Sequence, residues 1–130
     1  MNDGEKLRAL LQRYARAVDN RDIDALAVLF HPEAVIIGSG GSQALDEWLA
    51  TMRAPRAFPQ SMHVIADPLI APGEDGGSAD LDSYAVVFQL SDPTSGAADL
   101  TLGVRYLDHA VMHEGTWVFV RRQATTLWMR

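Results

Sequence analysis

The two residues of this sequence best suited to chemistry are a carboxylate and an imidazole, Asp19 and His63. Asp19 follows the apolar face of a predicted helix, where a carboxylate faces the negative end of the helix dipole at a cost of about a few tenths of a kcal/mol. His63 lies among apolar residues at the start of a predicted strand. Contact between them would offset both costs, because the carboxylate would orient the imidazole and raise its basicity for proton transfer. The alternatives are a solvated Asp19 in a helix–helix turn and a His63 that is simply hydrogen-bonded in the core.

Tyr14 is the third candidate for a chemical role. It precedes Asp19 by five residues, which is about 7.5 Å along a helix and on a different azimuth. The two side chains can border one cavity only if the end of the helix turns Asp19 inward. There the phenol could protonate a leaving hydroxyl or stabilise an enolate oxygen. Otherwise Tyr14 is a core aromatic residue with its hydroxyl at the surface.

The other three histidines are weaker candidates. His31 precedes Pro32 in a predicted loop and is expected to be exposed. His109 and His113 are four residues apart, which on a strand separates them by roughly 13 Å, too far for one metal ion. They are interpreted as polar residues near a hairpin tip. The sequence also has no Ser-His-Asp order, phosphate-binding loop, nucleotide fingerprint or metal-binding motif.

Composition narrows the classes of partner. The 130 residues are expected to form one domain spanning 1–130, with 48% hydrophobic and 22% charged residues. The net charge is −6, from 17 acidic and 11 basic residues, and no basic stripe suggests nucleic acid. Without cysteine the chain has no disulfide, zinc thiolate or cysteine nucleophile. Neither a signal peptide nor a membrane span is visible, so we expect a cytoplasmic protein that binds no membrane.

Three amphipathic helices are predicted in the first half of the chain. Apolar residues at helical spacing run from residue 7 to the helix end at Asp19 and Asn20. Asp22 is placed to N-cap a second helix that continues to Phe30. Ser42 is placed to cap a third helix, in which Trp48 faces the core and should be largely buried.

Long strands fill the second half. A short strand at 34–37 and a β-rich segment at 62–70 precede strands at 79–90, 99–112 and 117–129. Helices followed by a strand meander predict an α+β fold, with the helices on one face of an antiparallel sheet. The strand at 79–90 is apolar on both faces, and Tyr84, Val86 and Phe88 share one of them. Since the helices cover only one face, we expect a homodimer through the other, with aromatic residues of the last strand contributing.

The chain resembles the SnoaL-like domains of the nuclear transport factor 2-like superfamily. The similarity lies in residues 14–26, 29–30 and 34–35, then in 61–64, 103–106 and 115–119, so it spans nearly the whole chain in element order. It implies a cone in which a strongly curved antiparallel sheet wraps around three N-terminal helices. A deep apolar pocket is implied at the mouth of the cone.

The resemblance also implies roles for the candidate residues. In scytalone dehydratase, bile-acid 7-alpha-dehydratase and hexachlorocyclohexane dehydrochlorinase, an Asp that ends the first helix pairs with a His on the first long strand. Asp19 and His63 match those positions. The bile-acid enzyme has a pocket Tyr five residues before its Asp, which matches Tyr14.

Departures from scytalone dehydratase limit the choice of substrate. The second pocket His of that enzyme aligns with Ala85, and its pocket Asn aligns roughly with Tyr106. These differences argue against scytalone as the substrate of this protein. Trp48, Ala85 and Tyr106 are therefore expected to line the substrate pocket. A second acid would have to be Tyr14, Tyr106 or an Arg.

Two classes of function follow from the resemblance. The first is a lyase or isomerase that acts on a hydrophobic cyclic small molecule such as a steroid, polyketide or terpenoid, by proton abstraction through Asp19 and His63, with no cofactor and no metal. The second is a small-molecule-binding domain without catalysis. A third and weaker alternative is an epoxide hydrolase or a polyketide cyclase.

Overall fold

The computed structural model describes all 130 residues of the chain. Its helices are α1 (Asp3–Asp19), α2 (Ile23–Ala27) and α3 (Leu45–Arg53). Its strands are β1 (Phe30–Gly38), β2 (Gly41–Ala44), β3 (Gln60–Ile65), β4 (Leu69–Pro72), β5 (Ser78–Leu90), β6 (Leu100–His113) and β7 (Thr116–Met129). The predicted α+β class is therefore confirmed, and β5, β6 and β7 follow the predicted strands to within a few residues.

One curved, unclosed sheet contains all seven strands. Its order is β2-β1-β7-β6-β5-β3, with β4 also paired to β5. Every neighbouring pair is antiparallel except β1 and β7. The pairing of β6 with β7 shifts register after Gly103 and after His109. Such irregularities bend strands and increase their twist, which lets the sheet curve around the helices.

The long first helix packs its apolar stripe into the concave face of the sheet. Leu7, Leu10, Leu11 and Val18 are all buried, as the helical spacing predicts. The Asn2 side chain accepts a hydrogen bond from the Glu5 N–H and caps its beginning. No helix of the structure is long and apolar enough to cross a membrane.

The turn after α1 ends one helix and starts the next. The backbone N–H of Asn20 donates to the Arg16 carbonyl, and Arg21 takes a left-handed conformation with φ 55°. The Asp22 carboxylate accepts a hydrogen bond of 3.1 Å from the Ala25 N–H. The predicted N-cap of α2 is therefore confirmed. This turn sets the direction in which the side chain of Asp19 leaves the end of α1.

Two local predictions are wrong. The second helix ends at Ala27 rather than Phe30, because Phe30 begins β1 and pairs with Phe119 of β7. Ser42 does not cap α3: it pairs with Ile37 in β2, and Ala44 precedes α3 without a side-chain cap. In both cases, strand pairing provides hydrogen bonds that outweigh a local helical preference. Trp48 is partly buried and packs against the core, in line with the prediction that it faces the core.

Candidate active site

Asp19 and His63 are in direct contact. The His63 Nδ1 and Asp19 Oδ1 atoms lie 2.7 Å apart, and the two side chains are 9% and 19% exposed, respectively. Asp19 is the last residue of α1, while His63 is held in β3 by its pairing with Val87 of β5. The fold therefore brings together two residues 44 positions apart in the sequence.

The Asp19 carboxylate is held by three donors. Oδ1 accepts hydrogen bonds from the His63 ring and, at 2.8 Å, from the Ser61 hydroxyl. Oδ2 accepts a hydrogen bond of 2.8 Å from the backbone N–H of His63. Hydrogen bonds to a charged acceptor are stronger than neutral ones and offset the unfavourable position at the end of the helix. Ser61, two residues before His63, was not predicted as part of this arrangement.

The contacts fix the protonation state of His63. Since Asp19 can only accept at Nδ1, that nitrogen carries the proton and Nε2 has a free lone pair. Nε2 has no hydrogen-bond partner within the protein. Burial lowers the pKa of His63 below its ordinary value, although the Asp19 bond and charge oppose the shift. The imidazole is therefore neutral near pH 7 and can act as a base at Nε2.

Tyr14 lies beside this pair, but it does not line the groove that Asp19 and His63 line, so the prediction of one shared cavity is wrong. Its ring centre is 6.2 Å from that of His63, and the two rings are perpendicular. The Tyr106 ring lies 6.0 Å away, and the Trp48 ring stacks on Tyr14 at 6.4 Å. Burial raises the pKa of Tyr14, partly against the charge of Arg122. Its phenol keeps its proton at neutral pH and can donate it.

A buried ion pair completes the interior. The Arg122 guanidinium carbon lies 3.9 Å from the ring centres of both Tyr14 and Tyr106, so the cation is between two aromatic faces. Arg122 is 1% exposed, and its Nη1 is 3.5 Å from Oδ2 of Asp108, the residue opposite it in the pairing of β6 and β7. Of the three alternatives for the second acid, Tyr14, Tyr106 or an arginine, the arginine nearest Tyr14 is Arg122, which can supply positive charge there.

Both members of the ion pair remain short of hydrogen bonds. All three guanidinium nitrogens of Arg122 and both carboxylate oxygens of Asp108 are buried without a hydrogen-bond partner. Burial raises the pKa of Asp108 to about 6, even though Arg122 opposes the shift. Burial lowers the pKa of Arg122, but Asp108 and the nearby phenols raise it more, so the guanidinium stays charged. Costly buried charges of this kind are typical of functional sites.

A sequence signal for this pair exists in the strand alternation. Asp108 shares its face of β6 with Tyr106 and Ala110, which are both buried. A charged residue at one of these alternating, inward-facing positions is unexpected and marks the site in the sequence. Arg122 is harder to recognise, because β7 departs from regular pairing near this point. Which residue of β7 opposes Asp108 depends on that irregularity.

The predicted substrate-binding residues fall into two groups. Trp48 and Tyr106 lie around Tyr14, whereas Ala85 is buried on β5, on the same face as Val87. A groove of about 680 Å³ is lined by Asp19 and His63. Trp48 and Tyr106 line none of the five principal cavities, and Arg122 occupies the space between the rings.

The remaining histidines lie away from this pair. His109 contacts Asp80 at 2.7 Å on the exposed side of the sheet. The His31 and His113 rings are 4.5 Å apart, near the β6–β7 hairpin. No group of three or more His, Asp or Glu residues is arranged to hold a metal ion.

Comparisons with known proteins identify relatives of this architecture. A family model described as a SnoaL-like domain matches residues 1–123. A protein of Novosphingobium aromaticivorans, provisionally assigned as a scytalone dehydratase, superimposes with a TM-score of 0.87 at 19% identity, over 97% of this chain and 85% of its own. A type 2 hexachlorocyclohexane dehydrochlorinase superimposes with a TM-score of 0.85 at 12% identity, over 97% of this chain and 86% of its own. A Kribbella flavida protein superimposes with a TM-score of 0.88 at 16% identity, over 98% of this chain and 93% of its own.

No curated protein matches the chain by sequence. The structural relatives have low identities and therefore show a shared fold rather than a shared reaction. The family model spans most of the chain, from α1 into β7. The chain therefore belongs to the SnoaL-like domain family.

Proposed function

We propose that this protein is a lyase or isomerase that removes a proton from a hydrophobic cyclic small molecule, with no cofactor. The observation that carries the proposal is the 2.7 Å contact of Asp19 with His63 Nδ1, which leaves Nε2 without a partner. A neutral imidazole held by a carboxylate is a suitable general base for carbon acids activated by a neighbouring carbonyl. The names of two structural relatives, a dehydratase and a dehydrochlorinase, also denote eliminations.

The proton transfers can be assigned to specific atoms. Nε2 of His63 takes the proton from the substrate carbon, and Asp19 stabilises the imidazolium that forms. The electrons of the broken C–H bond form the new double bond as the leaving hydroxyl departs. For this transfer the substrate must reach the buried Tyr14 from the groove beside His63; Tyr14 then donates its proton to that hydroxyl, and water is released. The proton on His63 then returns to the Tyr14 phenolate, directly or through water, which restores both groups.

Arg122 supplies the electrostatic part of this proposal. Its cation lies against the Tyr14 ring and is excluded from water. Negative charge that develops on Tyr14 or on a substrate oxygen nearby would be stabilised more strongly there than in water. Met62, Val64 and Leu90 line the groove beside His63 and supply apolar surface for a substrate ring.

The direct test is turnover of a substrate panel by matched histidine variants. Steroid, polyketide and terpenoid β-hydroxy ketones would be incubated with the protein and followed by mass spectrometry. His63→Ala should lower the rate by roughly 10²- to 10⁴-fold, the usual contribution of a general base. His109→Ala is the control, because His109 also contacts an Asp at 2.7 Å but on the exposed face. Equal losses in both variants would contradict the proposal.

The second candidate function is small-molecule binding without catalysis, and the occupied interior favours neither candidate over the other. Arg122 lies between Tyr14 and Tyr106, and those two rings line none of the principal cavities. A protein that only binds a small molecule needs no free base. Saturable binding of a panel compound, with no conversion by wild type and no effect of His63→Ala, would establish this alternative.

A further inference from the structure

An arginine-lined cavity lies beside the turn that follows Asp19. Its volume is about 350 Å³, and Arg21, Arg53 and Arg56 contribute to its wall together with Ile23, Met52 and Phe58. The cavity is formed by the turn before α2, the end of α3 and the loop that leads to β3. Apolar side chains and cations therefore meet in one concave site of a size suited to a small ligand.

None of these three cations has an acidic partner. No carboxylate lies within 4 Å of Arg21, Arg53 or Arg56, since every ion pair of the chain involves other residues. No Asp or Glu contributes to the cavity wall either. The chain as a whole is acidic, with 17 acidic and 11 basic residues. Three arginines without a carboxylate partner at one cavity therefore form a local positive charge that differs from the charge of the rest of the protein.

Two of the guanidiniums are held in place but left short of acceptors. Arg21 Nη2 donates to the Phe58 carbonyl at 2.9 Å, whereas its Nη1 is buried without any partner. Arg56 Nη2 lies 2.7 Å from the Met52 sulfur, a weak acceptor. Burial, and then the charge of Arg21, lower the pKa of Arg56, so the two cations are close enough to repel each other. Arg21 also keeps a left-handed backbone.

The cavity adjoins the Asp19–His63 pair. Arg21 and Pro59 of its wall are the chain neighbours of Asn20 and Gln60, which line the groove beside His63. The charge of Arg21 also contributes to lowering the pKa of His63. The charge of Arg56 likewise contributes to the pKa of Tyr14. A molecule with one end on these arginines can therefore extend towards the side chains assigned to proton transfer.

We propose that Arg21, Arg53 and Arg56 bind an oxyanion, a carboxylate or a phosphate ester, carried by the apolar substrate of the neighbouring pair. An anion would accept hydrogen bonds from Arg53 and Arg56 and reduce the repulsion between Arg56 and Arg21. The inference rests on the proposed function only in naming this anion as part of the substrate. Binding of the anion itself requires neither His63 nor turnover.

The test is calorimetric binding of three probes that share one ring system: 2-naphthoate, 2-naphthamide and 2-naphthyl phosphate. Wild type should bind at least one anion about tenfold or more tightly than the neutral amide, as a charge-assisted contact predicts. Arg56→Gln and Arg53→Gln should each reduce that preference, and the double variant should abolish it. Arg13→Gln, on the exposed face of α1, should leave it unchanged. The tighter of the two anions identifies the chemical class.

Two outcomes would overturn the inference: equal affinity of wild type for the amide and both anions, or a preference that survives in the double variant. Thermal melting and circular dichroism of each variant establish that it is folded. A His63→Ala protein should bind the anion as wild type does. Arginine-dependent binding without any turnover of the substrate panel would refute the proposed reaction but support the anion site. Turnover of the panel without a preference for the anion would support the proposed reaction but refute the anion site.

Discussion

The carboxylate of Asp19 is placed where an isolated α-helix disfavours it, and its surroundings explain why it is stable there. Three donors reach it: the Ser61 hydroxyl, the His63 backbone N–H and the His63 ring. Two of these donors belong to the residue that it orients. The carboxylate therefore fixes both the position of β3 against α1 and the tautomer of the imidazole.

Replacement of Asp19 should affect rate and stability together. In Asp19→Asn an amide replaces the charge, so the imidazolium loses its stabilisation and the ring loses its orientation. We expect a sharp fall in kcat, together with a loss of about 1–3 kcal/mol in the free energy of unfolding from the weakened hydrogen bonds.

Turnover assays and urea unfolding would measure the two effects. Asp24→Asn, at an exposed site on α2, is the control and should change neither. Wild-type turnover by Asp19→Asn would contradict the role of the pair.

The pH dependence of the reaction should report His63. Burial is the largest influence on its pKa and lowers it below the ordinary value of about 6.5. The base form therefore predominates from about pH 6.5 upwards and is lost as pH falls through the lowered pKa. A profile of kcat/KM against pH should have its acidic limb below about pH 6.5, and NMR titration of the His63 ring should give the same midpoint. A midpoint above that value would show that Asp19 outweighs burial.

At the scale of elements, β6 and β7 place an ion pair in the interior. Asp108 and Arg122 face each other across these strands, and the irregularity after His109 determines which residue of β7 points inward. The guanidinium then lies against α1 through Tyr14 and against β6 through Tyr106. One buried cation thus connects the helix that carries Asp19 with the sheet that carries His63.

The buried Asp108 predicts a specific pH dependence of stability. Its pKa of about 6 in the folded protein exceeds that of an unfolded carboxyl, near 4. Between about pH 4 and 6, the folded state therefore holds a proton that the unfolded state has released. This contribution to stability is fully present below about pH 4 and is lost as pH rises through about 6.

Urea unfolding of wild type and Asp108→Asn from pH 4 to 7 measures this contribution, because the amide cannot titrate. The stability of wild type relative to the variant should be higher at about pH 4 than at about pH 7. A difference that does not change with pH would mean that Asp108 has an ordinary pKa.

At the scale of the whole molecule, the convex face of the sheet remains uncovered. Tyr84 and Trp128 are 58% and 41% exposed there, and Val86 and Phe88 are half-buried. Trp128 lies across Gly103, where even a Cβ would clash with its ring. Trp117 and Phe119, the other aromatic residues of the last strand, are buried in the core and are not available for contact.

A homodimer through this face stays our expectation for the assembly. Sedimentation at micromolar concentration should give a dimer, because an apolar face of this kind is usually covered. Tyr84→Glu should shift the equilibrium towards monomer by placing a charge in the contact. Val28→Glu is the control, since Val28 is even more exposed, at 71% against 58% for Tyr84, but lies at the end of α2 and not on the sheet. A monomeric wild type would refute the expectation.

The sequence determined those features that depend on neighbouring residues. The apolar spacing of α1, the Asp22 cap and the long alternating strands were all predictable, because their causes lie within a few residues of each other. The contact of Asp19 with His63 was also predicted, since each residue is unfavourable in its own element and a partner relieves both.

Features that depend on pairing between distant segments could not be predicted from the sequence. Phe30 begins a strand rather than continuing a helix, because Phe119 supplies its partner. Arg122 lies between Tyr14 and Tyr106 because a register shift in β7 turns it inward, and no local pattern encodes that shift. The physical reason is the same in both cases: hydrogen bonds across strands and the exclusion of water in the core outweigh preferences of about 1 kcal/mol or less per residue.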